Sequence, residues 1–446
     1  MRVHIVGAGG IGLSALAQLL KERGDEISGC DRSASPVTER LQRSDISIYI
    51  GHDAAHISGD CDLVIYSDAI PEDHPERARA KELGIPQKSY FEALGEIANE
   101  SKCLIAVAGS HGKTSTIAML IDVLEEAGLN PTAIVGSLRA KTHSNFRAGG
   151  NGYFIVEADE YLRHFLYFKP KILVITNIDA DHLDYYKDLA DVQSAFRELA
   201  ESVPAPIGPS LRPVSKDGPM GGALAGGCIV CDPNDQNVAP VIGDLKCTII
   251  DYKKFYDPNL PMQALPLQRV NAAAALAVAN VLKINKDVAK KALAEFAGTW
   301  RRFEYKGKTK NGVEVYDDYA HHPKEIATTL GSVREKFPDR QIIVAFQPHL
   351  YSRTKLLLDD FARAFKDADE VVIAPIFAAR EAPDPEISSE LLAQKISESG
   401  TLTTAANSLD EVLSKLQAIS YKLQTPSLII TMGAGELYKV AEQLTK

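Results

Sequence analysis

A phosphate-binding loop in the middle of the chain, rather than at its start, constrains this sequence most. The run IAVAGSHGKTSTIAML, from Ile105 to Leu120, reads as a buried apolar strand, a glycine turn and a helix opening at Lys113 and Thr114. A strand, turn and helix of that build aim backbone N–H groups, a helix N-terminus and a lysine at a polyphosphate. They also bring the first hydroxyl of the helix within reach of a Mg²⁺ ion. The full spacing of such loops asks for a glycine where Val107 stands, so the match rests on Gly109, Gly112, Lys113 and Thr114. Nucleotide binding is the expectation, with Ser110, His111 and Ser115 in the same turn; the alternative is a bare strand-to-helix corner with an exposed lysine.

Composition bounds the partners. With 446 residues the chain exceeds one ordinary core, and three domains are expected. A net charge of −10 without a dense basic run argues against nucleic acid or an anionic membrane as the main partner, while small anionic substrates stay open. The chain opens directly on the strand-like RVHIV and holds no membrane-length apolar segment, so a cytoplasmic protein is expected. The cysteines are Cys30, Cys61, Cys103, Cys228, Cys231 and Cys247; most lie in apolar strand-like surroundings and read as buried free thiols. Cys228 and Cys231 form a lone C-x-x-C with no second pair at zinc-finger spacing, which argues against zinc there.

Three stretches of alternating strand and helix patterns follow one another. Residues 1–99 carry RVHIV, GLSALAQLLKE, EISGC and LVIY, the pattern of a parallel sheet wrapped by helices. Residues 100–297 hold the phosphate loop, the strands YFIVEAD and ILVITN, and an alanine-rich helix from Val270 to Leu282. Residues 298–446 repeat the alternation with VEVYDD, KEIATTLGSVREKF, QIIVAF, LDDFARAF, EVVIA and SLIITM. Val203 to Gly227 is rich in proline and glycine and reads as a loop. The expected class is α/β.

Chemistry-bearing residues gather where strands should end. Gly7, Gly9 and Gly12 follow the first strand as G-x-G-x-x-G and Asp31 closes the next, which marks a diphosphate on a helix N-terminus without saying whose it is. Glu157, Asp159 and Glu160 end one central strand; Asn177, Asp179, Asp181 and His182 end another. Oxygen donors with one imidazole beside a phosphate loop suit Mg²⁺. In the last stretch the pair Arg301 and Arg302, the run DDYAHHP (Asp317 to Pro323) and the run FQPHLYSR (Phe346 to Arg353) are expected to clamp a carboxylate or a transferring phosphate.

In order, GAGGIGLSALA, SDAIPEDHPE, GSHGKTST, HSNFRAG, VEADE, TNIDADHLDYY, RRFE, DDYAHHP and FQPHLYSR resemble the Mur ligase family over nearly the whole chain, and within it the alanine-adding branch. The resemblance implies three domains: an N-terminal Rossmann-like UDP-sugar domain, a central P-loop ATPase-like domain with a mixed sheet, and a C-terminal Rossmann-like domain. It implies ATP-dependent amide formation between UDP-N-acetylmuramate and L-alanine through an acyl phosphate, with Mg²⁺ (or Mn²⁺), in a monomer or homodimer. Lys113, His182, Arg302 and His321 would be catalytic. Thr114, Glu157 and His182 would hold metal, and Gln268, Asn271, Arg302 and Asp318 would join the phosphate loop on ATP. Gly7, Gly9, Gly10, Ile11, Gly12, Asp31, Ser67, Ala69, His143, Asn145 and Arg147 would bind the UDP-sugar, and Tyr319, His321, His349 and Arg353 the amino acid.

Three positions depart from the family pattern. Leu267 and Gln268 replace a histidine and an asparagine on the adenine side, Leu350 stands where an arginine is usual, and Tyr161 and Leu162 replace serine and aspartate. The rivals are a ligase that adds a recycled peptide, an NAD-dependent dehydrogenase, and a non-catalytic nucleotide-binding regulator.

Overall fold

A computed structural model describes residues 1–182, 185–205, 226–262, 265–379, 381–423 and 426–446. Most of the expected loop over Val203–Gly227 lies outside the described residues. The chain forms two compact units, Met1–Pro261 with Val270–Phe296, and Met262–Arg269 with Ala297–Lys446. No helix among the described residues is long and apolar enough to cross a membrane.

The first unit contains two sheets. One has five parallel strands in the order Ser47–Ile50, Glu26–Asp31, Arg2–Val6, Leu63–Tyr66, Gln87–Ser89. Strand order reverses direction beside Arg2–Val6, and a doubly wound sheet opens its ligand crevice at such a point, past the carboxyl ends of the strands. Alternation along Arg2–Val6 sends Val3 and Ile5 into one apolar cluster and Val6 into another with Cys30, Val64 and Ala80. The helix Ile11–Glu22 buries Leu13, Leu16 and Leu20 at helical spacing and stops before Gly24, whose φ of +92° glycine adopts freely. Leu16→Ala would remove a fully buried side chain and cost about 2–5 kcal/mol.

The other sheet of this unit runs Thr248–Asp251, Cys228–Cys231, Ile172–Ile175, Cys103–Ala108, Gly150–Glu157, Pro131–Arg139, Ser144–Arg147, parallel except for the last pair. Cys103–Ala108 is buried at every residue, as a central parallel strand covered on both faces must be. Its neighbours are Ile172–Ile175 and Gly150–Glu157, so the phosphate loop and both acidic strand ends emerge side by side. The two sheets share one apolar cluster running from Val3 and Leu16 to Ala106 and Phe154. That continuity is why they form one unit where the sequence separates two segments.

The second unit has six strands in the order Glu304–Lys308, Glu314–Asp318, Ser427–Met432, Gln341–Phe346, Glu370–Ile373, Leu402–Ala405. Only the edge hairpin Glu304–Lys308 with Glu314–Asp318 is antiparallel. The strand Ser427–Met432 therefore lies between the strands that end in Asp318 and Phe346. The division between units falls within the helix Gln268–Val281, whose first two residues belong to the second unit.

Candidate active site

The phosphate loop is shaped by contacts as well as by sequence. Gly109 has a φ of +133°, and a Cβ there would lie 2.1 Å from Thr176 Oγ1; Gly112 has a φ of +85°, and a Cβ would meet Asn271 Oδ1 at 2.5 Å. Both positions therefore exclude a side chain twice, by torsion and by space. The end of the neighbouring strand fastens the turn. Thr176 Oγ1 and Asn177 Nδ2 donate to the His111 carbonyl at 2.6 and 3.0 Å, His111 N donates to Asn177 Oδ1 at 2.9 Å, and Asp179 N donates to Ser110 Oγ at 2.9 Å. Gly112 caps the helix Lys113–Glu126, in which Thr114 and Ser115 are buried.

Lys113 points back over its own loop. Its Nζ donates to the Gly109 carbonyl at 2.6 Å and to both Glu160 oxygens at 2.9 and 3.1 Å. Burial opposes the charge on Lys113, but Glu160, Asp159 and Glu157 outweigh it and keep the ammonium protonated. Thr114 Oγ1 donates to Glu157, which also accepts from Gly136 N at 3.0 Å. His182, at a φ of +55°, places Nε2 3.9 Å from Glu160 Oε1, and donor atoms of Asp159, Glu160 and His182 lie within 4.8 Å of one another. The site thus brings Thr114 to Glu157, and His182 to Asp159 and Glu160. The Tyr161 ring lies 4.9 Å from that of His182, tilted by 45°, which gives this departure from the family pattern a place in the site.

At the first sheet, Gly9 N donates to Asp31 Oδ2 at 2.9 Å, so Asp31 braces the glycine loop. A Cβ at Gly7 would lie 3.7 Å from that of Ser67, and Ala69 N donates to Ser67 Oγ at 3.4 Å, so these residues adjoin the loop. Gly10 precedes Ile11, the first residue of the helix. A Cβ at Gly12 would strike the Tyr90 ring at 2.7 Å. The Tyr90 phenol is pushed upward by burial, then by the charges of Glu157 and Asp159, and its ring packs against the glycine loop. Sequence reasoning missed Tyr90, because nothing local marks it. Asn145 is buried, with Nδ2 donating to the Ile11 carbonyl at 2.5 Å and to Ser14 Oγ at 3.0 Å. Arg147 is engaged by Glu125, Asn130 and the Pro131 carbonyl. Both expected UDP-sugar residues are thus hydrogen-bonded within the first unit, and His143 is exposed at a φ of +50°.

In the second unit Arg301 is buried, donating to Asp317 Oδ2 at 2.7 Å and to the Gly433 and Gly435 carbonyls. Both Arg301 and Arg302 lie 5.3 Å from the centre of the Tyr319 ring, but the Arg301 guanidinium is already engaged by Asp317 and the two carbonyls. Asp318 accepts from Phe303 N at 2.7 Å and Ala320 N at 2.9 Å, yet burial, opposed by Arg302, pushes its carboxyl up to about 6. His321 is held below the usual imidazole range by burial and lies 6.1 Å, ring to ring, from His349. Arg353 Nη1 is buried with no hydrogen-bond partner among the described residues. Leu350 has a φ of +69° and donates its N–H to the Phe377 carbonyl at 2.9 Å. A leucine there carries strain of about 1–3 kcal/mol. Gln268 and Asn271 are buried, in the second and first units respectively.

Residues 2–102 match the Mur ligase family catalytic domain, 107–207 the Mur ligase middle domain, and 301–435 the Mur ligase glutamate ligase domain. The chain belongs to the Mur ligase family. It is 37% identical to UDP-N-acetylmuramate–L-alanine ligase of Clostridium kluyveri, over 99% of this chain and 97% of that protein. It is also 37% identical to the enzyme of the same name from Acetivibrio thermocellus, over 100% and 95%. Among solved structures, the UDP-N-acetylmuramate-alanine ligase of Thermotoga maritima superposes with a TM-score of 0.80 at 26% identity, covering 100% of this chain and 98% of that one. A murein peptide ligase from Psychrobacter arcticus shares the fold, at a TM-score of 0.69 and 21% identity over 100% and 98%. For a Mur ligase, Glu160 is the finding: it ended the expected acidic strand, but only the structure makes it the partner of Lys113.

Proposed function

We propose that this Mur ligase joins L-alanine to the carboxylate of UDP-N-acetylmuramate, converting ATP to ADP and phosphate, as a cytoplasmic step of peptidoglycan precursor synthesis. The full-length likeness to ligases of that name carries the reading. In this reading a muramyl carboxylate oxygen attacks the γ-phosphorus and ADP leaves. The amine of L-alanine then attacks the acyl carbon and phosphate departs. Lys113 would leave Glu160 to meet the transferring phosphate, and backbone N–H groups of Gly109–Gly112 would hold the polyphosphate.

The oxygen donors of Thr114, Glu157, Asp159 and Glu160, with the single imidazole of His182, fit Mg²⁺ or Mn²⁺. Such an ion would neutralise phosphate charge. The glycine loop, Ser67, Ala69 and His143 would meet the UDP-sugar, with Asp31 and Asn145 holding that loop in shape. Arg302 and Asp318 would engage the nucleotide, and Arg353, with its open donor, the amino acid carboxylate. His321 donates Nδ1–H to the Tyr319 carbonyl at 3.2 Å, which leaves Nε2 as the base for the amine proton, while Tyr319 and His349 flank it. Three functional domains, 1–99, 100–297 and 298–446, are part of this reading.

ADP release with UDP-N-acetylmuramate against a panel of amino acids and peptides tests it. L-alanine should be preferred. A response to peptide alone would transfer the assignment to the peptide-adding branch. Tight NAD binding in calorimetry with no response to the UDP-sugar would overturn both.

A further inference from the structure

Outside the ligase site, the first unit gathers a second set of strong donors. Glu76, at the start of the helix Pro75–Glu82, is completely buried. Its Oε2 receives the Cys30 thiol at 2.7 Å and lies 3.2 Å from His4 Nε2; its Oε1 lies 2.8 Å from His56 Nδ1 and accepts from Asp53 N at 3.3 Å. His52 Nδ1 is 3.3 Å from Cys30 Sγ. Donor atoms of His4, Cys30 and Glu76 all lie within 4.8 Å of one another, and all three residues are buried. Edge-on to His52, with ring centres 4.4 Å apart, His74 is buried with neither ring nitrogen hydrogen-bonded among the described residues. None of these groups has a part in the chemistry proposed above.

We infer that this cluster is a structural site for a zinc-class divalent ion, held by His4 Nε2, Cys30 Sγ and Glu76 Oε2, with His52 Nδ1, 3.3 Å from Cys30 Sγ but outside that close set, turning inward to fill the fourth position when the ion enters. A tetrahedral ion with bonds of about 2.0–2.3 Å separates its donors by about 3.3–3.8 Å. The 3.2 Å edge between His4 and Glu76 is close to that, and the 2.7 Å edge between Cys30 and Glu76 is the one bridged by the thiol proton. When the ion enters, that proton leaves to solvent and the edge opens. One thiolate and one carboxylate then cancel the two positive charges, so no net charge stays buried. Sulfur with imidazole favours zinc over Mg²⁺ or Ca²⁺. The surrounding contacts suit ligation: Ser28 Oγ, 2.8 Å from His4 Nδ1, accepts its proton when Nε2 binds metal, and His56 with Asp53 N steadies the second carboxylate oxygen. The ion would tie the strands Arg2–Val6 and Glu26–Asp31 to the helix Pro75–Glu82.

The test uses the full chain, stripped with a chelator, reloaded with zinc chloride, desalted and assayed for metal, and in parallel loaded with cobalt chloride. About one zinc per chain is expected, with a melting transition raised on loading and lowered on stripping. Cobalt should give a thiolate charge-transfer band in the near ultraviolet, which requires the sulfur and which the acidic site at Asp159, Glu160 and His182 cannot produce. Cys30→Ser and Glu76→Gln should each lose the tightly held zinc, and Cys30→Ser the band. No retained zinc in the wild-type chain, or cobalt binding without that band, overturns the inference whether or not the variants fold; so does retention unchanged in a folded Cys30→Ser.

Discussion

Replacing Lys113 by alanine separates what that residue does for the fold from what it does for chemistry. In the structure its ammonium is held between the Gly109 carbonyl and both oxygens of Glu160, whose side chain is only 2% exposed. Lys113→Ala strands that carboxylate without a counter-charge, and breaking a buried pair from one side costs about 3–5 kcal/mol. Against a total stability of about 5–15 kcal/mol, that is a large shift in a urea transition. The cost depends on pH. Burial and Asp159 already push the Glu160 carboxyl upward, opposed by Lys113, so without the lysine the folded variant takes up a proton the unfolded chain does not. A group raised in the folded state stabilises at low pH and loses that contribution as pH rises. The deficit of Lys113→Ala relative to wild type should therefore be smaller near about pH 5.5 than near about pH 8, changing by up to about 1.4 kcal/mol per unit. Adding Glu160→Gln should recover most of the lost stability, since an amide needs no counter-ion. ADP release should fall by about a hundredfold or more in the single and the double variant alike, because about 3 kcal/mol of transition-state stabilisation is gone. The reasoning is refuted by a single variant as stable as wild type at both pH values, by no recovery in the double variant, or by turnover within a few fold of wild type.

Other perturbations follow from the same geometry. Arg353→Ala should raise KM for L-alanine by about tenfold to a hundredfold, the worth of a charge-assisted contact, while Leu350→Arg changes it little; steady-state kinetics in which only the Leu350 variant responds would reassign the carboxylate. Asp318, pushed up to about 6, should give kcat/KM for ATP an acid limb near that pH that Asp318→Asn flattens. Stability from this group runs the other way: it is full below the unfolded aspartate range and lost as pH rises through about 6, costing about 3 kcal/mol at neutrality, so denaturation and activity profiles should oppose each other. Gly12→Ala drives a Cβ into the Tyr90 ring and should destabilise the first unit by about 1–3 kcal/mol, with Tyr90→Ala in the same chain relieving much of that; equal losses with and without Tyr90 would place the strain elsewhere.

What the sequence determined by itself is what short stretches encode. A strand, a glycine turn and a helix start within about ten residues announce a phosphate loop, and apolar runs ending in Glu157 or Asn177 announce acidic strand ends, because periodicity and turn residues are local signals. Asp31 after the second strand and the arginine pair before Phe303 were legible in the same way. Their tasks were not: Asp31 holds Gly9 N–H, and of two arginines equally close to Tyr319, Arg301 is the one bound by Asp317. Strand order decided those pairings. Because Cys103–Ala108 lies between Gly150–Glu157 and Ile172–Ile175, Lys113 meets Glu160 from 47 residues away and His111 meets Asn177 from 66. The same holds for Asn145 on Ile11, Tyr90 against Gly12, and the His4, Cys30 and Glu76 cluster, whose members sit on two adjacent strands and a helix with no shared spacing in sequence. A side chain's neighbours across a parallel sheet depend on which strands pair and in what register, a property of the assembled hydrogen-bond ladder that no single segment carries.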